Sequence, residues 1–170
     1  MEDDFDLGPL KKPKRKNSRA KGSTFERETA KRLNERFEVK TFSRTPGSGA
    51  YATTHNLPEH LQIHGDIISP QEFKYTLELK KGYNSINLYD LFNYSSTFWD
   101  FWAQAEKDAK KSRKTPMLIF KQDRKPTLAM VSVDAGFTSS TYIQLHKEDE
   151  EYRLYFFDEI LQEPTDLWFG

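Results

Sequence analysis

From Phe73 to Lys80 apolar and polar residues alternate without a break. Phe73, Tyr75, Leu77 and Leu79 fall on one face of an extended strand; Lys74, Thr76, Glu78 and Lys80 fall on the other. Glu78 and Lys80 therefore emerge side by side on the polar face. Just upstream, Gly65-Asp66-Ile67-Ile68 is a short apolar segment opened by an acid, and a hairpin could bring Asp66 close to Glu78.

The rest of the chain supplies helices and strands around that run. Ser23, followed three residues later by Glu26, reads as a capping box, and Glu26, Ala30, Leu33 and Phe37 then share one helical face. Val39 to Ser43 reads as a short strand, and Arg44-Thr45-Pro46-Gly47-Ser48-Gly49 as a loop. A short helix is expected near Leu88, Leu91 and Phe92. A longer one spans about 97–112, with Phe98, Trp102, Ala105 and Ala109 as its apolar stripe and Pro116 ending it. Met117–Phe120 and Thr127–Val133 read as strands joined by a turn at Gln122–Pro126. Tyr142–Leu145 and Tyr152–Phe157 read as a hairpin around an acidic turn. This order predicts an α/β fold: a central mixed β-sheet flanked by helices.

Composition narrows the chemistry. The 170 residues contain no cysteine, which excludes disulfides and thiolate-bound zinc or iron–sulfur centres. No apolar stretch approaches the ~18 residues of a membrane span, so no membrane partner is expected. The location expected is the cytoplasm of a bacterial, archaeal or virus-infected cell, or the nucleus of a eukaryote. The sequon Asn93-Tyr94-Ser95 is then without meaning. The zero net charge hides an asymmetry: residues 11–21 carry seven Lys/Arg and no acid, whereas residues 145–170 carry eight Asp/Glu. A neutral sum is compatible with nucleic acid, because binding depends on local basic surface. Residues 1–20 read as a disordered basic tail, 21–135 as the core, and 136–170 as an acidic hairpin extension packed on it.

Two carboxylates on opposed segments can hold Mg²⁺ (or Mn²⁺) through oxygen ligands, with the Leu79 carbonyl as a third and Glu26 as a further carboxylate. A metal so held promotes phosphodiester hydrolysis. Lys80 could orient water and stabilise charge on the phosphoryl oxygens. The plainer alternatives are an exposed ion-pair face for Glu78 and Lys80 and a purely capping role for Glu26.

Asp66, Glu78 and Lys80 resemble the motif of the PD-(D/E)XK nuclease superfamily, with Gly65 where a proline is usual. Lys21-Gly22-Ser23-Thr24-Phe25-Glu26-Arg27-Glu28 is similar to the Lys-Gly-x-x-x-Glu-Arg-Glu helix of archaeal-type Holliday junction resolvases. Arg44-Thr45-Pro46-Gly47-Ser48 is similar to their Arg-x-x-Gly-Ser loop. The likeness covers about residues 21–133; Ala50–His64 is longer than in those proteins, and the chain beyond Gly136 has no counterpart. The resemblance implies a restriction-endonuclease-like core and a homodimer that cuts branched or four-way DNA. Its catalytic set would be Glu26, Asp66, Glu78 and Lys80. DNA would be held by Lys21, Arg27, Arg44, Ser48, Lys107, Lys110 and Lys111, with Gln104 and His64 near the site. The alternatives are a restriction, repair or mobile-element endonuclease on the same core, or a DNA-binding module that does not cut. A zinc role for His55, His60 and His64 is disfavoured without cysteine. Trp99, Phe101 and Trp102 exceed what one helix face buries, so they fill the core on two sides, form a dimer surface, or stack on unpaired bases.

Overall fold

Residues 18–46 and 64–170 are described by a computed structural model. Helix α1 (Ser18–Phe37) opens it, three residues inside the expected tail. The capping box at Ser23 does not form. The Ser23 and Thr24 hydroxyls instead donate back to the Ala20 carbonyl, at 3.3 and 2.9 Å, so the helix runs through a sequence that looks like its start. It stops where Glu38 takes φ 55° and the Val39 N–H donates to the Asn34 carbonyl.

The expected strand at 39–43 shrinks to β1 (Ser43–Arg44). The Asn34 side chain bonds both the carbonyl and the N–H of Phe42, at 2.8 and 2.9 Å, and so ties that stretch to α1. β1 pairs antiparallel with β2 (Ile67–Ile68) in a two-stranded ribbon.

The central sheet has five strands in the order β3-β4-β5-β7-β6. β3 (Tyr75–Lys81) runs parallel to β4 (Thr115–Lys121). β4, β5 (Leu128–Ser132), β7 (Glu150–Phe156) and β6 (Tyr142–Lys147) continue antiparallel. The parallel pair requires a crossover, and α2 (Thr97–Ser112) supplies it. Arg113, in the left-handed region at φ 56°, ends α2, and Pro116 lies inside β4. The short helix expected near Leu88 is a single 3-10 turn, Leu88–Leu91. The hairpin beyond Gly136 extends the same sheet through β7, and the chain closes with α3 (Phe157–Ile160) and a 3-10 turn at Thr165–Leu167.

Side-chain alternation splits the core into two layers. Tyr75, Leu77 and Leu79 join Met117, Ile119, Ala129 and Val131 against Phe25, Leu33 and Trp168 on the α1 side. Leu118, Phe120, Met130 and Leu154 pack against Phe98, Trp99, Trp102 and Ala105 of α2 on the other. Each such aliphatic side chain contributes about 1.5–3 kcal/mol when fully buried. Trp99, Phe101 and Trp102 are all buried, so neither a surface wedge nor a dimer face is built from them. The polar face of β3 is also covered: Thr76 and Glu78 are buried beneath α2, because the crossover helix must lie on one face of the parallel pair.

Candidate active site

Glu78 and Lys80 leave β3 toward α2, and the Lys80 Nζ sits 2.5 Å from the Glu78 Oε1. The ammonium lies 5.2 Å from the centroid of Phe101. Asp66 arrives by a different route from the predicted hairpin, since β2 pairs with β1 and not with β3. The Asp66 N–H donates to the Leu77 carbonyl at 2.9 Å, and its Oδ2 accepts the Leu79 N–H at 2.7 Å. The residue between Glu78 and Lys80 thus holds the third group of the motif by its backbone.

Gly65 makes that approach feasible. Its φ is 79°, and a Cβ there would lie 2.8 Å from both the Leu77 carbonyl oxygen and the Thr76 Cγ2. Proline, confined to negative φ, has no place in this turn. Thr45 locks it from outside: its hydroxyl donates to the Gly65 carbonyl at 3.0 Å and its N–H to the Asp66 carbonyl at 2.9 Å.

Burial, and next the neighbouring Glu78, push Asp66 up to about 7, against the Leu79 N–H that favours its charge. Glu78 is likewise raised, first by burial; Lys80 opposes this, and Asp108 and Glu26 add to it. Burial alone would lower Lys80, but the charge and hydrogen bond of Glu78, with Asp66 beyond, leave it above its ordinary value. Two crowded carboxylates of this kind are fully ionised only beside added positive charge.

A hard divalent cation fits that requirement. Among the described residues no group of three or more His, Cys, Asp or Glu side chains is placed to hold a metal. A closed zinc site needs such a group. Mg²⁺ does not, since it commonly takes one or two protein carboxylates and keeps its remaining positions for water and phosphate. Glu26, buried on α1, directs its carboxylate into an ion pair with the Arg44 Nε.

The other expected residues are dispersed. Arg27 and Arg44 line a groove between α1 and β1, and Arg27 also donates to the Ser23 hydroxyl. Lys21 pairs with Asp123 at 3.0 Å. Lys107 and Lys111 lie on the flank of α2 that carries Gln104, whereas Lys110 lines a groove with Glu106, Asp134 and Glu150 on the opposite flank. The basic end of α2 is therefore not one patch. Gln104 is exposed and donates to Asp108 at 2.7 Å. His64 is partly buried beside Gly65. Ser48, His55 and His60 lie outside the described residues.

Asp108 escaped the sequence reading. It stands close enough to raise Glu78 and sits 3.7 Å from Lys111. Its signal was helical spacing, since it lies one turn beyond Gln104 on the same face.

Residues 17–163 match the protein family described as "Phage putative PDDEXK endonuclease". The chain belongs to this family. The match runs through the β6–β7 hairpin, well past the end of the resolvase likeness at about residue 133. No curated protein and no solved structure matches the chain. Membership places it in the PD-(D/E)XK superfamily, whose members typically use a divalent metal, and implies DNA as substrate. The mixed sheet flanked by helices agrees with the restriction-endonuclease-like core of that superfamily. Among the described residues no helix is long and apolar enough to cross a membrane.

Proposed function

We propose that the protein is a Mg²⁺-dependent endodeoxyribonuclease that cuts branched DNA, four-way junctions included, with Asp66, Glu78 and Lys80 as its catalytic residues. The observation that carries this reading is the buried Asp66–Glu78 pair beside the ion-paired Lys80. Asp66, Glu78 and the Leu79 carbonyl would hold the ion, which when bound supplies positive charge against the scissile phosphate and acidifies water beside it. The Leu79 N–H keeps the Asp66 carboxylate in place for that task. Lys80 can donate to a non-bridging phosphate oxygen and help position the attacking water. Attack in line on phosphorus expels the 3′ oxygen.

Glu26 keeps Arg44 next to the site, where the guanidinium can meet the DNA backbone. Arg27, Lys21, Lys107, Lys111 and the basic segment before α1 would add contacts that position the duplex without reading its sequence. The junction preference rests on the likeness of the Lys21–Glu28 and Arg44–Ser48 segments to archaeal-type resolvases, as does the expectation of a homodimer.

Labelled four-way junction, flap, linear duplex and single strand, incubated with Mg²⁺ or EDTA beside Glu78→Gln, test both levels. Metal-dependent cutting of the junction, lost by at least about a thousandfold in the variant, is expected. Equal cutting of linear duplex would remove the branch preference and keep the nuclease. Cutting that survives Glu78→Gln would remove the assigned site.

A further inference from the structure

Two lysines at the end of the sheet have no part in the chemistry above. Lys81 follows Lys80 directly and closes β3, and Lys121 closes β4 in register with it. Neighbouring strands lie about 4.8 Å apart, and side chains in register on a parallel pair leave on the same face. Both lysines continue the α1 side of the sheet, after Leu77 and Leu79 on one strand and Met117 and Ile119 on the other. The Lys81 Nζ stands 5.7 Å from the centroid of Phe25 on α1, and Lys121 lines a groove with Phe25, Glu28 and Thr29 of that helix.

Their backbones are fixed. The ladder runs unbroken from Tyr75 beside Thr115 to Lys81 beside Lys121, and the Gly82 N–H then donates to the Lys121 carbonyl at 3.0 Å. Among the described residues neither ammonium is in an ion pair; Glu28, which shares the groove, lies outside ion-pair distance of both. Asp123 is already taken up, paired with Lys21 at 3.0 Å and accepting from Asn84 at 3.1 Å. Those hydrogen bonds from Asn84 and Lys21, and then the charges of Lys21 and Lys81, hold its carboxyl below the usual range. Like charges set opposite each other on adjacent strands repel, so the arrangement is unfavourable until an anion joins it.

The place of the pair identifies the anion. Lys80 and Lys81 are consecutive, so they leave opposite faces of the strand, Lys80 beside Glu78 under α2 and Lys81 toward α1. Phe25, beside the Lys81 ammonium, precedes Glu26, whose charge reaches both Asp66 and Glu78. The two lysines therefore border the candidate site on the face that Lys80 does not serve. Ammonium groups held side by side on rigid strands suit a compact anion with several acceptor oxygens. Beside a site that cuts phosphodiesters, that anion is a further phosphate of the same nucleic acid.

We propose that Lys81 and Lys121 together seat a phosphate of the DNA backbone on the α1 side of the cut site. This rests on the nuclease reading above and adds to it a binding site built on the strands that carry the catalytic residues. Neither lysine touches the reacting atoms, so both are positioning residues. The contact carries no sequence information; it sets where the backbone lies relative to Asp66 and Glu78.

Binding of a fluorescein-labelled four-way junction and a linear duplex in EDTA, titrated with salt from about 50 to 200 mM, tests the seat without any cutting. In Lys81→Gln/Lys121→Gln the slope of log affinity against log salt should flatten by about 1, and affinity near 0.1 M salt should fall about eightfold on both DNAs. Lys81→Arg/Lys121→Arg should restore both. The melting temperature of the glutamine variant should hold or rise, because a repulsion is removed. A fall in melting temperature with binding unaltered makes the lysines part of the fold and overturns the seat. Lys40→Gln/Lys147→Gln removes the same charge elsewhere and should leave the slope as it is; an equal flattening there means that only net charge is felt, and the seat is again overturned. A slope that survives Lys81→Gln/Lys121→Gln overturns it even if Mg²⁺-dependent cutting and its loss in Glu78→Gln are intact. The converse, a flattened slope in a protein that never cuts, keeps the seat and removes the nuclease reading.

Discussion

At the scale of single residues, the site is a crowd of carboxylates brought together at some cost. Asp66 is raised from 3.8 to about 7, so the folded protein takes up its proton more readily than the unfolded chain does. That contribution to stability is fully present below the unfolded value and is lost as pH rises through the folded one. In EDTA, the urea midpoint should fall between about pH 4 and pH 7, and Asp66→Asn should flatten the fall. Mg²⁺ should act in the opposite sense, raising the midpoint near and above pH 7, where the carboxylates are charged, and losing its effect in acid. Gly65 offers a purely steric prediction. Gly65→Ala combines a positive φ with contacts at 2.8 Å, and should destabilise by about 1–3 kcal/mol, read from the same urea titration.

At the scale of elements, α2 is what turns a surface strand into a buried site. It roofs the face of β3 that carries Thr76, Glu78 and Lys80, and Ala105, with no exposed surface, lets the helix approach closely. Ala105→Leu should cost about 1–3 kcal/mol by lifting that roof. The loss would be seen as a lower melting temperature. The alternation at 73–80 was visible in the sequence, as was the stripe of α2, because both follow from local periodicity. What covered the polar half of the strand was not visible, since coverage is set by the crossover between β3 and β4. The false capping box at Ser23 has a related cause: hydroxyls that can cap a helix can equally bond back into one.

For the whole molecule, the end of the chain closes the layer that faces α1. Trp168 has no exposed surface and packs among Phe37, Phe73, Tyr75 and Phe137. Arg36 anchors the same segment through the Leu161 and Glu163 carbonyls, at 2.7 and 3.0 Å. Trp168→Ala should cost about 3–5 kcal/mol, measured by denaturant unfolding, although it lies far in sequence from the site. DNA binding should depend on the basic segment before α1. Deleting residues 1–17 removes five Lys/Arg between Lys11 and Lys16 and should flatten the slope of log affinity against log salt by as much as about 4.

Local order along the chain sets the period of the longer elements, most of the places where it turns, and the pattern of the Asp66…Glu78-x-Lys80 set. These depend on residues close together along the chain, or on a chemistry few residue types can supply. Tertiary structure alone decided that Asp66 reaches β3 through the Gly65 turn and the β1–β2 ribbon, that Arg44 belongs to Glu26, and that Asp108 overlooks Glu78. It also reversed the aromatic surface: the tryptophans of α2 are core, and the rings in the loop before it face solvent. Periodicity specifies which side chains share a face, but only the packing of distant segments decides whether that face meets water, another layer or a carboxylate.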